Sequence, residues 1–135
     1  MQDENIYVTY PGNLPYFHLG SGTFFRPDPA PDQRVSKAME HLQAHLSEKI
    51  PLRELARLAL LSPFHFQRLF KKTVGLTPKE FLLRLRVEKI KMLMKEGISL
   101  SRIASETGFT DQSHLIRTFK KLTGTTPREF HNRTT

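Results

Sequence analysis

From Arg34 onward the apolar positions recur at three- and four-residue steps, and before it they do not. Val35, Ala38, Met39, Leu42 and Leu46 form one stripe and predict a helix. Pro51 suits the first position of a second helix, whose inner face is Leu52, Leu55, Ala56 and Ala59. Ser62 and Pro63 then cap and start a third helix running to about Thr73, with Gly75 as its left-handed stop. Thr77-Pro78-Lys79-Glu80 reads as a capping box that opens a helix to about Glu96. At roughly 18 residues and ~1.5 Å per residue it spans about 27 Å and is the longest predicted. Ser99 caps a fifth helix, with Ile98 and Ile103 placed as a hydrophobic staple, Ile103 and Ala104 inward and Gly108 at its end. Thr110 or Asp111 caps a sixth helix that runs to about Leu122 and stops at Gly124. Thr126-Pro127-Arg128-Glu129 repeats the capping box and starts a short last helix through Phe130.

Part of this pattern occurs twice. Residues 64–81 read FHFQRLFKKTVGLTPKEF and residues 113–130 read SHLIRTFKKLTGTTPREF. At one constant separation, His65 matches His114, Arg68 matches Arg117, Phe70 matches Phe119, and Gly75, Pro78 and Glu80 match Gly124, Pro127 and Glu129. Such a repeat is one supersecondary unit used twice. Each copy reads helix, short turn, helix, with a small Ala (Ala56, Ala104) four residues before the turn residue (Leu60, Gly108). That is the helix-turn-helix layout. The expected fold is all-α, with two helix-turn-helix subdomains joined by a long central helix, about seven helices in total. The subdomains are expected at about 51–75 and 99–124, and the linker helix at about 78–96, inside a domain covering 34–135.

Residues 1–33 hold five of the nine prolines and all three tyrosines. They are expected to form an irregular arm, with Tyr10-Pro11-Gly12-Asn13 as a tight turn and Pro27 to Asp32 as a stiff linker. The alternative is a hairpin, with Asn5–Tyr10 and Tyr16–Leu19 as strands, used for dimerisation or partner contact.

Lys and Arg number 21 against 13 Asp and Glu, a net charge of +8. The arm is mildly acidic, with Asp3, Glu4, Asp28 and Asp32 against Arg26, so the basic excess falls on the helical region. A polyanionic partner is implied. There is no cysteine, which removes disulfides, thiolate metal sites and a Cys nucleophile. His41 and His45 stand four apart on one helix but lack a third ligand, and are read as surface residues. No Gly-rich phosphate loop occurs, and no enzyme, cofactor or metal is expected. No apolar run approaches bilayer length, and residues 1–12 lack a signal-peptide pattern, so a cytoplasmic, nucleoid-associated location and no membrane partner are expected.

The helix after each turn has two faces. In the first copy Phe66, Leu69 and Phe70 point inward, while Phe64, Gln67, Arg68 and Lys71 share the outer side. In the second, Leu115 and Phe119 point inward, while Ser113, Ile116, Arg117 and Lys120 lie outside. Arg offers two donors to guanine, Gln pairs with adenine, and apolar groups meet the thymine methyl. The outer faces are therefore equipped to read base edges in a major groove. Lys71, Lys72, Lys120 and Lys121 suit phosphates.

Two helix pairs around a long helix, followed by Gly124-Thr125-Thr126-Pro127-Arg128-Glu129-Phe130, resemble the DNA-binding domain of the AraC/XylS family of bacterial transcription regulators. The likeness extends over about Arg34 to Arg133 and includes Ile103 to Phe109, Asp111 to Leu115, and Arg117 to Lys121. Small members of the MarA/SoxS/Rob type are similar in size. The resemblance implies base contacts from Phe64, Gln67, Arg68, Gln112, Ser113, Ile116 and Arg117. The residues assigned to phosphate are Ser62, Lys71, Lys72, Thr110, Lys120 and Lys121. Leu60 in place of the usual Gly, Leu115 in place of Phe, and His131 in place of Arg are departures. Sequence-specific binding of double-stranded DNA follows, with the two recognition helices in successive major grooves. Activation through RNA polymerase, a monomer on DNA, or a dimer through residues 1–33, are further implications. The competing reading is a basic all-helical adaptor for an acidic protein.

Overall fold

A computed structural model describes the backbone of residues 6–10, 14–19 and 22–25, and residues 32–134 in full. Three strands, β1 (Ile6–Tyr10), β2 (Leu14–Leu19) and β3 (Gly22–Phe25), precede seven helices. The helices are α1 (Gln33–Ala44), α2 (Leu52–Leu58), α3 (Pro63–Val74), α4 (Pro78–Lys95), α5 (Leu100–Glu106), α6 (Gln112–Thr123) and α7 (Pro127–Thr134). The helix count, the two helix-turn-helix units and the long central helix are as the sequence predicts.

The arm corrects the expectation of irregular chain. Its strands form one antiparallel sheet in the order β1-β2-β3, with Ile6 opposite His18, Tyr10 opposite Leu14, and Tyr16 opposite Phe25. Aromatic and β-branched residues dominate these segments and favour strands. Pro15 weakens the strand pattern on paper, yet it sits second in β2, opposite Thr9, near the strand end. β3 lies against α1. Pro11–Asn13 of the expected turn, and residues 27–31 of the expected linker, lie outside the described residues.

The chain divides into two compact units. The first takes in the sheet, α1–α3 and the opening of α4. Its core is Val35, Ala38, Met39 and Leu42 of α1, Leu55 and Ala56 of α2, Phe66, Phe70 and Val74 of α3, and Phe81 of α4, all buried. The Phe70 ring meets those of Phe66 at 5.8 Å and Phe81 at 5.7 Å. The second unit runs from Leu83 to the C-terminus and includes Leu46–Lys49, the strap that connects α1 to α2. Val87, Ile90, Leu93, Met94, Ile103, Ala104, Phe109, Leu115 and Phe119 form its core. Burying each of the larger side chains contributes about 1.5–3 kcal/mol.

Duplicated signals end and begin the helices. Thr77 and Glu80 cap α4 reciprocally, with N–H to side-chain oxygen distances of 2.9 and 3.1 Å. Thr126 and Glu129 do the same for α7 at 3.0 and 3.1 Å. Gly75 and Gly124 close α3 and α6 at φ 89° and 88°. The last helix runs to Thr134 rather than stopping at Phe130, and its Phe130 ring packs on Phe119 at 5.8 Å.

Candidate nucleic-acid interface

The second helix of each helix-turn-helix unit is aimed by the turn before it, and the two turns differ in length by one residue. After α2 the chain turns at Leu60, φ 58°, and the Leu61 amide donates to the Ala56 carbonyl at 3.0 Å. After α5 it turns at Gly108, φ 85°, and the Phe109 amide donates to the Ala104 carbonyl at 3.0 Å. These bonds make Leu60 the counterpart of Gly108. The first turn then reaches its N-cap, Ser62, through Leu61 alone. The second passes Phe109 and Thr110 before its N-cap, Asp111. Thr110 is thus an extra residue. Of the two candidates, Asp111 is the cap, accepting from the His114 amide at 2.8 Å, as Ser62 accepts from His65 at 3.2 Å.

On α3 the candidate base-reading residues Phe64, Gln67 and Arg68 are all exposed, Phe64 to 73%. An aromatic ring so exposed adds little to the core of its own unit. The Arg68 guanidinium lies over the Phe64 ring, 5.6 Å from its centre. Such stacking holds the charged group near one geometry. Lys71 and Lys72, exposed in the last turn, continue the basic edge. Leu69, expected to point inward, is half-buried.

On α6 Gln112, Ser113 and Arg117 are exposed. Ile116 differs from its outward assignment: it is half-buried and packs against the core of the second unit. Its register points out, but an apolar chain gains by leaning back onto the core. Arg117 has Ser113, not a ring, one turn ahead of it. Lys120 and Lys121 are exposed in the last turn. Thr110 is exposed, with its amide 3.5 Å and its hydroxyl 3.4 Å from Nδ1 of His114. The side chain of Ser62 serves as a cap, so a phosphate would share it with the helix.

Sequence reasoning missed the arginines of α4. Arg86 donates from Nε to the Leu46 carbonyl at 2.7 Å, from Nη2 to Glu48 at 3.0 Å, and from Nη1 to Gly108 at 3.4 Å. Its guanidinium stacks 5.6 Å from the Phe109 ring. Partial burial, which takes water from the guanidinium, pulls its pKa below the usual arginine value. Arg84 donates to the Leu122 carbonyl at 3.2 Å, near the far end of α6. No sequence signal marks these acceptors, because they are backbone oxygens placed by the fold.

His41 and His45, read as surface residues, are half-buried. Their rings lie 4.5 Å apart, and His41 Nε2 meets the Glu54 carboxylate at 2.8 Å. Among the described residues no group of three metal-ligating side chains is assembled, and no helix is long and apolar enough to cross a membrane.

Known proteins share this arrangement. A family described as a helix-turn-helix domain matches residues 55–133. The uncharacterised HTH-type transcriptional regulator YbfI of Bacillus subtilis is 34% identical over 98 residues, 73% of this chain and 36% of that protein. The HTH-type transcriptional activator Btr, also of Bacillus subtilis, is 35% identical over 79 residues, 58% of this chain and 15% of that protein. The chain thus spans about a third or less of these relatives. The DNA-binding domain of AdpA, a global transcriptional factor solved in complex with a target DNA, superposes with a TM-score of 0.63 at 26% identity, covering 75% of this chain and 88% of that one. These relatives are named as transcription regulators. By the matched domain and the doubled helix-turn-helix, the chain belongs to the AraC-type family of DNA-binding transcription regulators.

Proposed function

We propose that the chain binds a specific duplex DNA sequence as a monomer, with α3 and α6 in successive major grooves, and activates transcription through contact with RNA polymerase. It acts in the bacterial cytoplasm, at the nucleoid. The observation that carries this reading is the pairing of Arg68 and Arg117, exposed at matching positions on the two recognition helices. A solvated helix face does not require the same guanidinium in the same register twice.

Several features support it. Gln67 and Gln112 add adenine-reading amides to the guanine-reading arginines. Phe64, and Ile116 as far as it leans outward, offer apolar groups to thymine methyls. Ser62, Lys71, Lys72, Thr110, Lys120 and Lys121 are exposed and carry groups suited to phosphates. The 18 residues of α4 give a rise of about 27 Å, the same order as the ~34 Å between successive major grooves on one face. A shorter spacing between the reading helices would bend the DNA, at a cost that depends on its sequence. Activation draws support from Btr, a relative named as an activator. The β1–β3 sheet is the surface through which a dimer would form.

The test is selection of binding sites from random duplexes, then affinity measurements on the selected and a scrambled duplex over a range of salt. A steep fall of log K with log salt is expected, since several phosphates are neutralised. Arg68→Ala and Arg117→Ala are each expected to lose ~1–3 kcal/mol of preference for the selected site. Equal losses on both duplexes would restrict these arginines to phosphate contact. A symmetric selected site would replace the monomer with a dimer. Failure to select any site would favour an acidic protein partner.

A further inference from the structure

We propose that Arg86 is a positioning residue for DNA recognition: it sets the aim of α6 by pinning the turn before that helix to the strap of residues 46–49. This rests on α6 being a reading helix, as proposed above. Three backbone carbonyls converge on one guanidinium, two from the strap (Leu46, Glu48) and one from the turn (Gly108). Arginine's rigid fork can serve several acceptors at fixed angles, which a lysine ammonium cannot. The turn is seated so closely that a Cβ on Gly108 would lie 2.7 Å from the Ser47 carbonyl oxygen and 2.9 Å from Cζ of Arg86.

The contact continues into α6. Arg86 stacks on Phe109, and the edge of His114, in the first turn of α6, meets the Phe109 ring at 5.1 Å. His114 follows Gln112 and Ser113 directly, so a shift of the Phe109 ring moves both reading side chains. Arg84 holds the Leu122 carbonyl near the other end of the helix. α6 is therefore tied to α4 at both ends. The turn before α3 is not seated in this way, since its Leu60 side chain is 90% exposed.

The experiment measures affinity of the intact chain for the selected duplex in Arg86→Lys, in Arg68→Ala and Arg117→Ala, and in the two double variants. Arg86→Lys is expected to lower affinity about tenfold or more. A clear part of that loss should vanish when Arg117 is already Ala, because one of the side chains that a misplaced α6 would carry off target is then gone. It should persist in full when Arg68 is Ala. Base changes facing α6 should also matter less in Arg86→Lys, while those facing α3 keep their effect. An equal loss in both backgrounds, or no loss, overturns the proposal. If Arg86→Lys does not fold, Phe109→Leu takes its place, keeping the core filled while removing the ring between Arg86 and His114. The same selectivity is required there, and a uniform effect overturns the proposal. If Arg117→Ala alone leaves discrimination unchanged, it is the DNA-reading assignment of α6 that fails.

Discussion

Leu60 and Gly108 hold the same place in two copies of one unit, and their surroundings treat them oppositely. Both are left-handed, at φ 58° and 85°. Leu60 points its side chain into solvent, so the backbone conformation alone weighs against a side chain there. Gly108 sits under the strap and the Arg86 guanidinium, so a side chain would meet both backbone strain and collision. Duplication thus preserved the left-handed turn residue, while the packing around it and the length of chain after it diverged. The same divergence appears on the exposed faces of α3 and α6. Arg68 rests on the Phe64 ring, while Arg117 has a serine in the matching place.

The largest effect that would test this contrast is Gly108→Ala. Left-handed strain of ~1 kcal/mol and overpacking of ~1–3 kcal/mol predict a loss of about 2–4 kcal/mol in urea unfolding. A loss near 1 kcal/mol would show that the strap yields and that the two turns are more alike than they look. Next come the caps, where the copies agree. Thr77→Ala and Thr126→Ala should each cost ~1 kcal/mol; with Thr126→Ala, faster amide exchange should be confined to the start of α7. Leu60→Gly should instead raise the unfolding free energy, by up to about 1 kcal/mol, because it relieves strain and gives up little packing. Destabilisation would mean that Leu60 is held by contacts its exposure does not suggest. Phe64→Ser makes the first copy resemble the second. It should free Arg68 at a cost of ~0.5–1 kcal/mol, read as weaker binding to the selected duplex with the melting temperature unchanged.

The smallest effect concerns pH. Hydrogen bonds from the Thr126 backbone and side chain hold the Glu129 carboxyl below its ordinary value of 4.5, with Lys120 and Arg133 adding to the shift. A lowered folded-state pKa means that the contribution is present above 4.5 and fades as the pH falls through the folded value. Fraying of α7 at low pH, seen by NMR and absent in Glu129→Gln, would confirm this.

Local signals made the helical frame legible. Thr77–Glu80 and Thr126–Glu129 announce helix starts with their own side chains, and Gly75 and Gly124 announce stops, so both were read from neighbours within one turn. What depended on distant partners was not readable. The first two strands of residues 6–25 were legible only as the alternative hairpin, and the third, Gly22–Phe25, was not read at all. Ile116 has an outward register, but its burial is decided by the core it leans on. His41 meets Glu54 across two helices. Arg86 looks like any exposed base on a long helix until the strap and the Gly108 turn are in place. The site was legible to the extent that helical register decides exposure, which holds for Phe64, Gln67, Arg68, Gln112, Ser113 and Arg117.

Thr110, the additional residue of the second turn, has a practical consequence for anyone exchanging reading heads between the two copies. A splice made upstream of Leu60 or Gly108 would transplant turn length together with helix, and the grafted segment would enter from a foreign crossing. Joining instead at Ser62 and Asp111 leaves each host its native approach, and the core positions Phe66 and Phe70 then have to be matched to Leu115 and Phe119.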